Sequence, residues 1–292
     1  MKPARFDYYA PGTASEAVSL LSEHGADAKI LAGGQSLVPL LNMRLARPSA
    51  LIDINQVADL DYIREDDGVL AIGAMTRQRT LERSALVRER QPLLHAAVRH
   101  IGHPQIRNRG TVGGSLAHAD PAAELPAAAL ALGAEMRALS PDGERTIAAQ
   151  DFFLTFLTSA LNQDELLIEL RVPALAPGTG WSFVEFARRH GDFALAGAAV
   201  AVTLDAAGRF LSAAIALFGV APTPIRASVA EQSLVGEQPS AAVFERAGRS
   251  AAEAIEQPLS DIHGSSDFRR HLAGVLTRRA LGEAAARTRR HE

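Results

Sequence analysis

The amino-acid sequence predicts an α+β protein built from two domains. A chain of 292 residues is long for a single domain. The segment 173–180, PALAPGTG, has the proline- and glycine-rich composition of a linker. Beyond it, three segments of strand character precede three of helical character, an order typical of α+β folds. We therefore expect a first domain at 1–176, with subdomains of about 1–56 and 57–176, and a second at 177–292.

The first subdomain is predicted to be a small unit of helices and strands. Thr13 and Glu16 have the spacing of a capping box, and the helix that they begin ends at Gly25. The segments that follow predict a strand, a short helix and a second strand at 29–32, 40–45 and 50–54. The unit is too small for a dinucleotide-binding βαβαβ half and has no G-x-G-x-x-G, so the familiar nucleotide-binding fold is disfavoured.

The second subdomain is predicted to mix strands with helices. Expected strands lie at 69–74, 134–139 and 165–172. Expected helices begin at Thr76 and Pro92 and cover 125–132 and 150–161. Asp120 and Pro121 have the character of a helix start, because aspartate caps helices and proline suits the first helical position. The polar segment HPQIRNRG at 103–110 predicts a loop.

The second domain is predicted to begin with a three-stranded antiparallel sheet. Its strands are expected at 181–188, 194–204 and 210–220, and their short connections indicate a meander. Helices are then expected at 226–234, 241–255 and 267–287. The last 25 residues contain seven arginines and two glutamates, which predicts a solvated helix face or a partner contact.

Composition excludes several classes of protein. A hydrophobic content of 47% and a formal net charge of −3 are typical of a soluble globular protein and give no basic surface for nucleic acid. No apolar run reaches the ~18 residues of a membrane span. The N-terminus MKPARFDYYAPG lacks the apolar core of a signal peptide, so we expect a cytoplasmic location. Without cysteine, the chain has no thiolate ligand for an iron–sulfur cluster. Any electron transfer by this chain would therefore require an organic cofactor.

Two glycine pairs are the strongest candidates for a binding site. Gly33 and Gly34 lie in KILAGGQSL, and Gly113 and Gly114 lie in TVGGSLAHADPAAE. Glycine lets the backbone turn sharply and approach a ligand, and consecutive N–H groups in such turns bind anions. Two such turns would hold a diphosphate from both sides, although a lone glycine pair more often only connects two elements.

Other chemistries fit the sequence less well. His103, His118 and Asp120 are a minimal set of metal ligands, but they match no recognised spacing. Ser36 and Ser115 do not lie in G-x-S-x-G, and no G-K-[ST] follows either glycine pair, so a serine hydrolase and a P-loop are disfavoured.

A nucleotide cofactor explains more of these residues. Short polar side chains beside the glycines would add hydrogen bonds: Gln35, Ser36, Thr111 and Ser115. Asp120 and Glu124 would accept hydrogen bonds from ribose or ribityl hydroxyl groups. Apolar side chains would cover a flat ring system: Ile30, Leu31, Leu37, Ile106 and Leu167.

Four segments resemble those of a known family. The two glycine segments, AGGQSLVPLLNMR at 32–44 and IRNRGTVGGSLAHADPAAELP at 106–126, are similar to the signatures of the FAD-binding medium subunit of molybdenum hydroxylases. DELLIELRVP at 164–173 and FARRHGDFALAG at 186–197 agree with it in the same order. The resemblance covers nearly the whole chain and points to the carbon monoxide dehydrogenase type and, more distantly, to the flavin domain of xanthine dehydrogenase.

The resemblance implies a fold and a set of cofactor contacts. The expected fold is a two-part vanillyl-alcohol-oxidase-like (PCMH-type) FAD-binding domain followed by a smaller C-terminal flavoprotein domain, with FAD in the cleft. Relatives often have tyrosine where this chain has Phe193, so apolar packing on the isoalloxazine is expected without a hydroxyl contact. The implied FAD contacts are Lys29, Ile30, Leu31, Ala32, Gly33, Gly34, Gln35, Ser36, Leu37, Ile101, His103, Ile106, Thr111, Gly113, Gly114, Ser115, Ala117, His118, Asp120, Glu124, Leu161, Leu167 and Phe193.

The resemblance also implies a function. In such complexes a large subunit carries the molybdenum cofactor, a small subunit carries two [2Fe–2S] clusters, and the FAD of the medium subunit passes electrons to an external acceptor. The expected assembly is a dimer of heterotrimers, and no catalytic acid or base is needed in this chain because the flavin carries the chemistry. Two other functions stay open: a self-contained flavin oxidoreductase, and an assembly subunit without FAD.

Overall fold

The structure is a computed structural model that describes residues 1–288. Its N-terminal region contains a parallel sheet of three strands in the order β1-β3-β2. Thr13 caps α1 by accepting a hydrogen bond from the Glu16 N–H at 3.2 Å, and Gly25 ends the helix with a φ of 56°, as predicted. The elements are β1 (Asp7–Tyr9), α1 (Ala14–His24), β2 (Ala28–Leu31), α2 (Leu37–Asn42) and β3 (Ala50–Asp53).

The middle region contains an antiparallel sheet of five strands in the order β4-β5-β10-β6-β7. A hairpin of two short strands, β8 and β9, stands apart from it. The elements are β4 (Ile63–Asp66), β5 (Val69–Gly73), α3 (Gln78–Arg83), α4 (Ala85–Arg90), α5 (Pro92–His100), α6 (Pro104–Arg109), α7 (Val112–His118), α8 (Glu124–Ala131), β6 (Glu135–Ser140), β7 (Gly143–Ala148), α9 (Ala149–Phe152), β8 (Phe153–Thr155), β9 (Thr158–Ser159) and β10 (Leu166–Pro173).

The C-terminal region contains an antiparallel sheet in the order β11-β12-β13-β14, followed by three helices. The predicted meander is confirmed, but the sheet has four strands instead of three, because Ile225 and Arg226 pair with Leu217 and Ala216. The elements are β11 (Gly180–Phe186), β12 (Ala196–Leu204), β13 (Phe210–Phe218), β14 (Ile225–Arg226), α10 (Ser228–Leu234), α11 (Ala241–Glu253) and α12 (Ser266–Thr288).

Both faces of the C-terminal sheet are buried. Phe183 and Phe218 stack with ring centroids 5.2 Å apart and join the core of the middle region, against α5 and α8. Val200 and Leu217 face the opposite way, into a second core with α11 and α12. A Cβ at Gly197 would lie 2.1 Å from the Phe218 ring, so glycine is required where this ring crosses β12. The sheet therefore joins the two domains through continuous packing.

Of the two segments between α5 and α8, one differs from the prediction. The segment 103–110 contains α6, because Pro104 occupies the first helical position and Gly110 ends the helix. The helix predicted at 125–132 is confirmed as α8. The helix-start character of Asp120 and Pro121 instead produces a turn, in which Asp120 Oδ1 accepts the Ala122 N–H at 2.8 Å.

The second glycine pair also differs from the prediction. Gly113 and Gly114 lie in the first turn of α7 and not in an open turn, because Thr111 caps this helix. Its hydroxyl oxygen accepts the Gly114 N–H at 3.1 Å. Helical capping has overridden the low helix propensity of two consecutive glycines.

The helix predicted at 150–161 is wrong as well. Only α9 is helical there, and the chain continues into the β8–β9 hairpin. Phe153, Thr155 and Thr158 favour strand over helix, and Leu157 at the tip has a φ of 52°. Sequence periodicity also missed β1, β4 and β7, which are short or polar on most of their positions.

The arginine-rich C-terminus is less solvated than predicted. Arg269 is only 4% exposed, whereas Arg278 remains exposed in its ion pair with Glu245 on α11 at 2.7 Å. The end of this arginine-rich stretch, residues 289–292, lies outside the described residues. Within 1–288, no helix has both the length and the apolar character that crossing a bilayer requires.

Candidate functional site

The first glycine segment is an open turn between β2 and α2. Residues 32–36 belong to neither element, and Gly34 adopts a φ of 74° that favours glycine. Within the described residues, the backbone N–H groups of 33–36 donate to no backbone or side-chain acceptor. Four consecutive free donors in a turn form a site suited to an anion.

The second glycine segment uses its N–H groups inside the protein. Val112 and Gly113 donate to the carbonyl oxygens of Thr76 and Ala74 at 3.0 and 2.8 Å. Gly114 donates to the Thr111 hydroxyl oxygen. A Cβ on Gly113 would lie 2.5 Å from the Cβ of Ala74, so this glycine permits close packing of α7 on the end of β5. The second pair thus sets the position of α7, and the free donors belong to the first.

The fold brings the two glycine segments into direct contact. A Cβ on Gly33 would lie 2.4 Å from the carbonyl oxygen of Arg109 and 2.8 Å from the Cα of Gly110. A Cβ on Gly114 would lie 3.6 Å from the Cβ of Ala32. The missing side chains therefore let two segments that are distant in sequence form one surface.

Asn55 and Arg77 hold the two segments together, and sequence reasoning missed both. Asn55 Nδ2 donates to the Ala32 carbonyl oxygen at 2.8 Å, and its Oδ1 accepts from Arg77 Nη2 at 2.7 Å. Arg77 Nη1 then donates to the Arg109 carbonyl oxygen at 2.6 Å. The only sequence signal was their position, since each closely follows a buried strand.

Two guanidinium groups lie near these segments, together with the carboxylates of Asp53 and Asp61. Burial of Arg77 and the neighbouring positive charge of Arg109 lower the pKa of Arg77. The positive charge of Arg109 also contributes to the lowered pKa of Asp53, where burial opposes ionisation and hydrogen bonds from Tyr8 and Asn55 favour it. The field of two nearby guanidinium groups favours a negatively charged ligand on the free N–H groups.

A third group of predicted residues lies around α6. Ile101 is buried, whereas Ile106 is 37% exposed and its side chain packs over Gly102. Arg107, which sequence reasoning did not single out, donates to the Ile101 carbonyl oxygen at 2.8 Å and to Glu82 at 2.9 Å. Although burial opposes ionisation of Glu82, its hydrogen bonds to Arg107 and Arg79 keep the pKa of this carboxyl below its usual value.

The loop that carries Phe193 comes from the C-terminal domain and rests on His103. Gly191 adopts a φ of 89°, and a Cβ there would lie 2.5 Å from Cε1 of His103. The rings of His103 and His190 stack at 5.9 Å. Phe193 is 69% exposed, which leaves its ring available to a ligand. The structure thus joins predicted contacts from both domains.

Glu124 is the most perturbed acid of the site. It begins α8 and is 6% exposed. Burial raises its pKa to about 8, and the negative charge of Glu185 adds to the effect. Glu185 itself contacts His100 Nδ1 at 3.2 Å through one carboxylate oxygen, and within the described residues its buried second oxygen has no partner. At neutral pH Glu124 is therefore largely protonated and able to donate a hydrogen bond.

The remaining predicted contacts have different environments. Leu167 is 4% exposed in the core on β10, and Leu161 is half-buried after β9, which packs on α7. Lys29 is exposed on β2. The other predicted contacts that remain are partly buried: Ile30, Leu31, Leu37, Ser115, Ala117 and His118. In the part of the chain that the structure describes, no three histidine or acidic side chains are grouped to hold a metal ion.

Family comparisons match both halves of the chain. Residues 4–175 match the FAD binding domain in molybdopterin dehydrogenase, and residues 181–284 match the CO dehydrogenase flavoprotein C-terminal domain. The first match alone covers more than half of the chain.

Individual relatives agree over the full length. The alpha subunit of the 6-hydroxypseudooxynicotine dehydrogenase complex of Paenarthrobacter nicotinovorans is 45% identical, over 99% of this chain and 97% of that protein. A chain of carbon monoxide dehydrogenase from Hydrogenophaga pseudoflava superimposes with a TM-score of 0.95 at 42% identity, covering 98% of this chain and 99% of that one. For quinoline 2-oxidoreductase from Pseudomonas putida 86 the TM-score is 0.93 at 40% identity, with 98% and 99% covered.

These matches confirm the predicted fold and cofactor class. The free N–H groups suit the diphosphate of FAD, and the exposed aromatic ring suits its flat ring system, so the residues present fit the cofactor. The chain therefore belongs to the FAD-binding medium subunits of molybdenum hydroxylases, oxidoreductase subunits in which an FAD-binding domain precedes a CO dehydrogenase flavoprotein C-terminal domain.

Proposed function

We propose that this chain is the electron-transfer subunit of a heterotrimeric molybdenum hydroxylase. It would receive electrons from [2Fe–2S] clusters of a small partner subunit and pass them to an external acceptor, while a large partner subunit with the molybdenum cofactor oxidises the substrate. The observation that carries the proposal is the contact between the glycine segments, which presents four free N–H groups at 33–36 beside two guanidinium groups.

We assign the FAD diphosphate to these donors. The N–H groups of 33–36 would bind its oxygens, and the hydroxyl groups of Ser36 and Ser115, which make no hydrogen bond within residues 1–288, would add two donors. The hydroxyl oxygen of Thr111 accepts the Gly114 N–H, and its own proton would be available to a diphosphate oxygen. We assign to FAD the other contacts that the family resemblance implies as well.

The isoalloxazine is assigned to the junction of the two domains. There Phe193 would cover one part of the ring, and the protonated carboxyl of Glu124 would donate a hydrogen bond to a cofactor acceptor. Bound FAD would supply the redox chemistry, and the protein would supply position and electrostatics. The half-buried Leu161 and the exposed Ile106 would exclude water from the cofactor.

The subunit role is supported by the absence of cysteine. This chain has no thiolate to hold a cluster, so electrons that reach its flavin from iron and sulfur must come from another chain. The named relatives act on chemically different molecules, 6-hydroxypseudooxynicotine, carbon monoxide and quinoline, although their folds agree. We infer that substrate choice lies in a partner subunit.

We also propose the domain boundaries expected from the sequence, 1–176 and 177–292, with an inner boundary near 56. The end of β10 at Pro173 and the start of β11 at Gly180 support the first of these. A dimer of two heterotrimers remains a prediction from the family resemblance.

Purification of the tagged chain under mild conditions from its native host tests this proposal. We expect two further chains to co-purify, with FAD, molybdenum and iron in the complex. A single chain that carries FAD and oxidises a small substrate without partners would instead identify a self-contained oxidoreductase. A complex with molybdenum and iron but without FAD would identify an assembly subunit.

A further inference from the structure

Arg269 is a buried arginine in an electrostatically unfavourable position. It lies in the first turn of α12, where the helix dipole favours negative charge, and it is only 4% exposed. Burying a guanidinium group costs several kcal/mol unless hydrogen bonds and an opposite charge compensate. The structure provides acceptors from three different segments for its two Nη atoms, whereas within the described residues the buried Nε has no partner.

The first two partners are backbone carbonyl groups of the C-terminal sheet connections. Arg269 Nη1 donates to the Leu195 oxygen at 2.7 Å and to the Gly219 oxygen at 2.5 Å. Leu195 follows Phe193 by two residues and also donates its N–H to the Phe186 oxygen at 2.8 Å. One guanidinium nitrogen therefore fixes the end of the loop that carries Phe193.

The same nitrogen reaches the other domain through Gly219. The Gly219 N–H donates to the Pro121 carbonyl oxygen at 2.7 Å, inside the turn that precedes Glu124. Gly219 has a φ of 72°, and a Cβ there would lie 2.8 Å from the Ala194 oxygen, so no larger residue fits between these segments. Arg269 thus connects the Phe193 loop with the segment 120–124.

The third partner orients the guanidinium group. Arg269 Nη2 donates to Asp261 Oδ2 at 2.7 Å. Asp261 Oδ1 accepts the N–H groups of His263 and Gly264 at 2.8 and 3.0 Å, which fixes the carboxylate. The loop around Gly264 packs on Leu195 as well, with a Cβ position 3.3 Å from that side chain.

We propose that Arg269 is a positioning residue of the FAD site, which sets the Phe193 loop against the segment 120–124 through its bonds to Leu195 and Gly219. This inference rests on the proposed assignment of FAD to that site. Gly219 also packs against the Ala194 oxygen while it donates to Pro121, and the bonds of Arg269 to Leu195 and Gly219 hold this packing in place.

The test compares variants of the full chain at saturating FAD. R269M removes all three bonds, and R269K retains a positive charge with hydrogen-bond donors. D261N removes the opposite charge and replaces one of the two accepting oxygens with an amide donor. The control is R226M. Arg226 also links the domains, through the Leu130 oxygen at 3.4 Å, and it is paired with Glu231 of its own domain at 2.7 Å. Within residues 1–288 it has no hydrogen bond to the Phe193 loop. The readouts are the visible circular dichroism of bound FAD and its dissociation constant.

We expect R269M to alter the flavin dichroism and to raise the dissociation constant at least about tenfold, as loss of a charged hydrogen bond predicts. R269K should restore the dichroism in part, D261N should shift it in the same direction as R269M, and R226M should leave it unchanged. If R269M does not fold, D261N and R269K decide the question.

Two results would overturn the inference. One is wild-type flavin dichroism and FAD affinity in every folded variant of Arg269 and Asp261. The other is a change of the flavin dichroism in R226M that equals the change in R269M. If wild-type protein binds no FAD even with its partner subunits, the proposed function fails first and the inference falls with it.

Discussion

Gly33 and Arg109, 76 positions apart in the chain, pack so closely that a methyl group on Gly33 would stand 2.4 Å from the Arg109 carbonyl oxygen. Nonbonded carbon and oxygen atoms do not approach to this distance, so the contact exists only with glycine. Since the free N–H groups begin at this residue, the packing of two backbones and the proposed binding of a diphosphate depend on the same missing side chain.

G33A should therefore damage both stability and cofactor binding. We expect the free energy of unfolding to fall by about 1–3 kcal/mol, the usual cost of an added methyl group in a packed site. The FAD dissociation constant should rise at least about tenfold, since the 33–36 donors would shift. Denaturant unfolding and FAD titration measure the two effects.

The control for G33A is G12A. A Cβ on Gly12 would meet only the Glu16 carboxylate, at an ordinary 3.8 Å. This variant should change stability by no more than about 0.5 kcal/mol and leave FAD affinity intact. Equal behaviour of the two variants would contradict the role given to Gly33.

N55A tests the hydrogen-bonded link between the glycine segments. It removes the bond to the Ala32 oxygen and leaves Arg77 Nη2 without its Asn55 acceptor. We expect a loss of about 1–3 kcal/mol in the free energy of unfolding and weaker FAD binding. Q56A, at the exposed neighbouring position, should have neither effect. Wild-type FAD affinity in N55A would show that the link is dispensable.

Glu124 should make stability depend on pH. Its pKa is raised from 4.5 to about 8 in the folded protein, so the native state binds the proton more tightly than the unfolded chain. The stabilisation that this proton gives the folded protein is fully present below pH 4.5. It is lost as pH rises toward 8, at up to roughly 1.4 kcal/mol per pH unit.

E124Q removes this titration. The difference in unfolding free energy between variant and wild type should shift in favour of the variant as pH rises from 5 to 8, about the range between the two pKa values. E89Q, at an exposed position, provides the control. A difference for E124Q that stays constant with pH would show that Glu124 is not protonated in the folded protein.

F193A tests the aromatic cover of the flavin. Because Phe193 is 69% exposed, its removal should change the free energy of unfolding by no more than about 0.5 kcal/mol. The rate of FAD release should nevertheless rise about two- to tenfold, the value of one aromatic contact. L211A removes an equally exposed side chain, at 64%, and should not affect release. Unchanged release in F193A would remove Phe193 from the site.

Local sequence signals predicted the parts of the fold that depend on local interactions. The capping box at Thr13, the strand before Gly33 and the meander of the C-terminal sheet all follow from neighbouring residues. The hairpin at 153–159 was missed because the apolar composition of this segment was interpreted as a helix in spite of its β propensity. The helix at Pro104 was missed because the polar composition of 103–110 was interpreted as a loop in spite of the proline at the helix start.

The sequence singled out the glycines of the candidate site but not the side chains that hold its segments in position. Motif resemblance identified Gly33 and Gly113, whereas Asn55, Arg77 and Arg269 act through partners 22 to 74 positions away. Long-range hydrogen bonds leave no periodic signal in a sequence. The different use of the two glycine pairs, one with free donors and one packed into a helix, also depends on tertiary contacts.

The most direct test of FAD binding is the flavin content of the protein, purified with its partner subunits and supplied with excess FAD. We expect the visible absorption bands of oxidised flavin and, on heating, release of FAD at close to one molecule per chain. G33A should lower this occupancy, and G12A should not. A wild-type complex that remains colourless, with no flavin released, would contradict FAD binding and favour an assembly role.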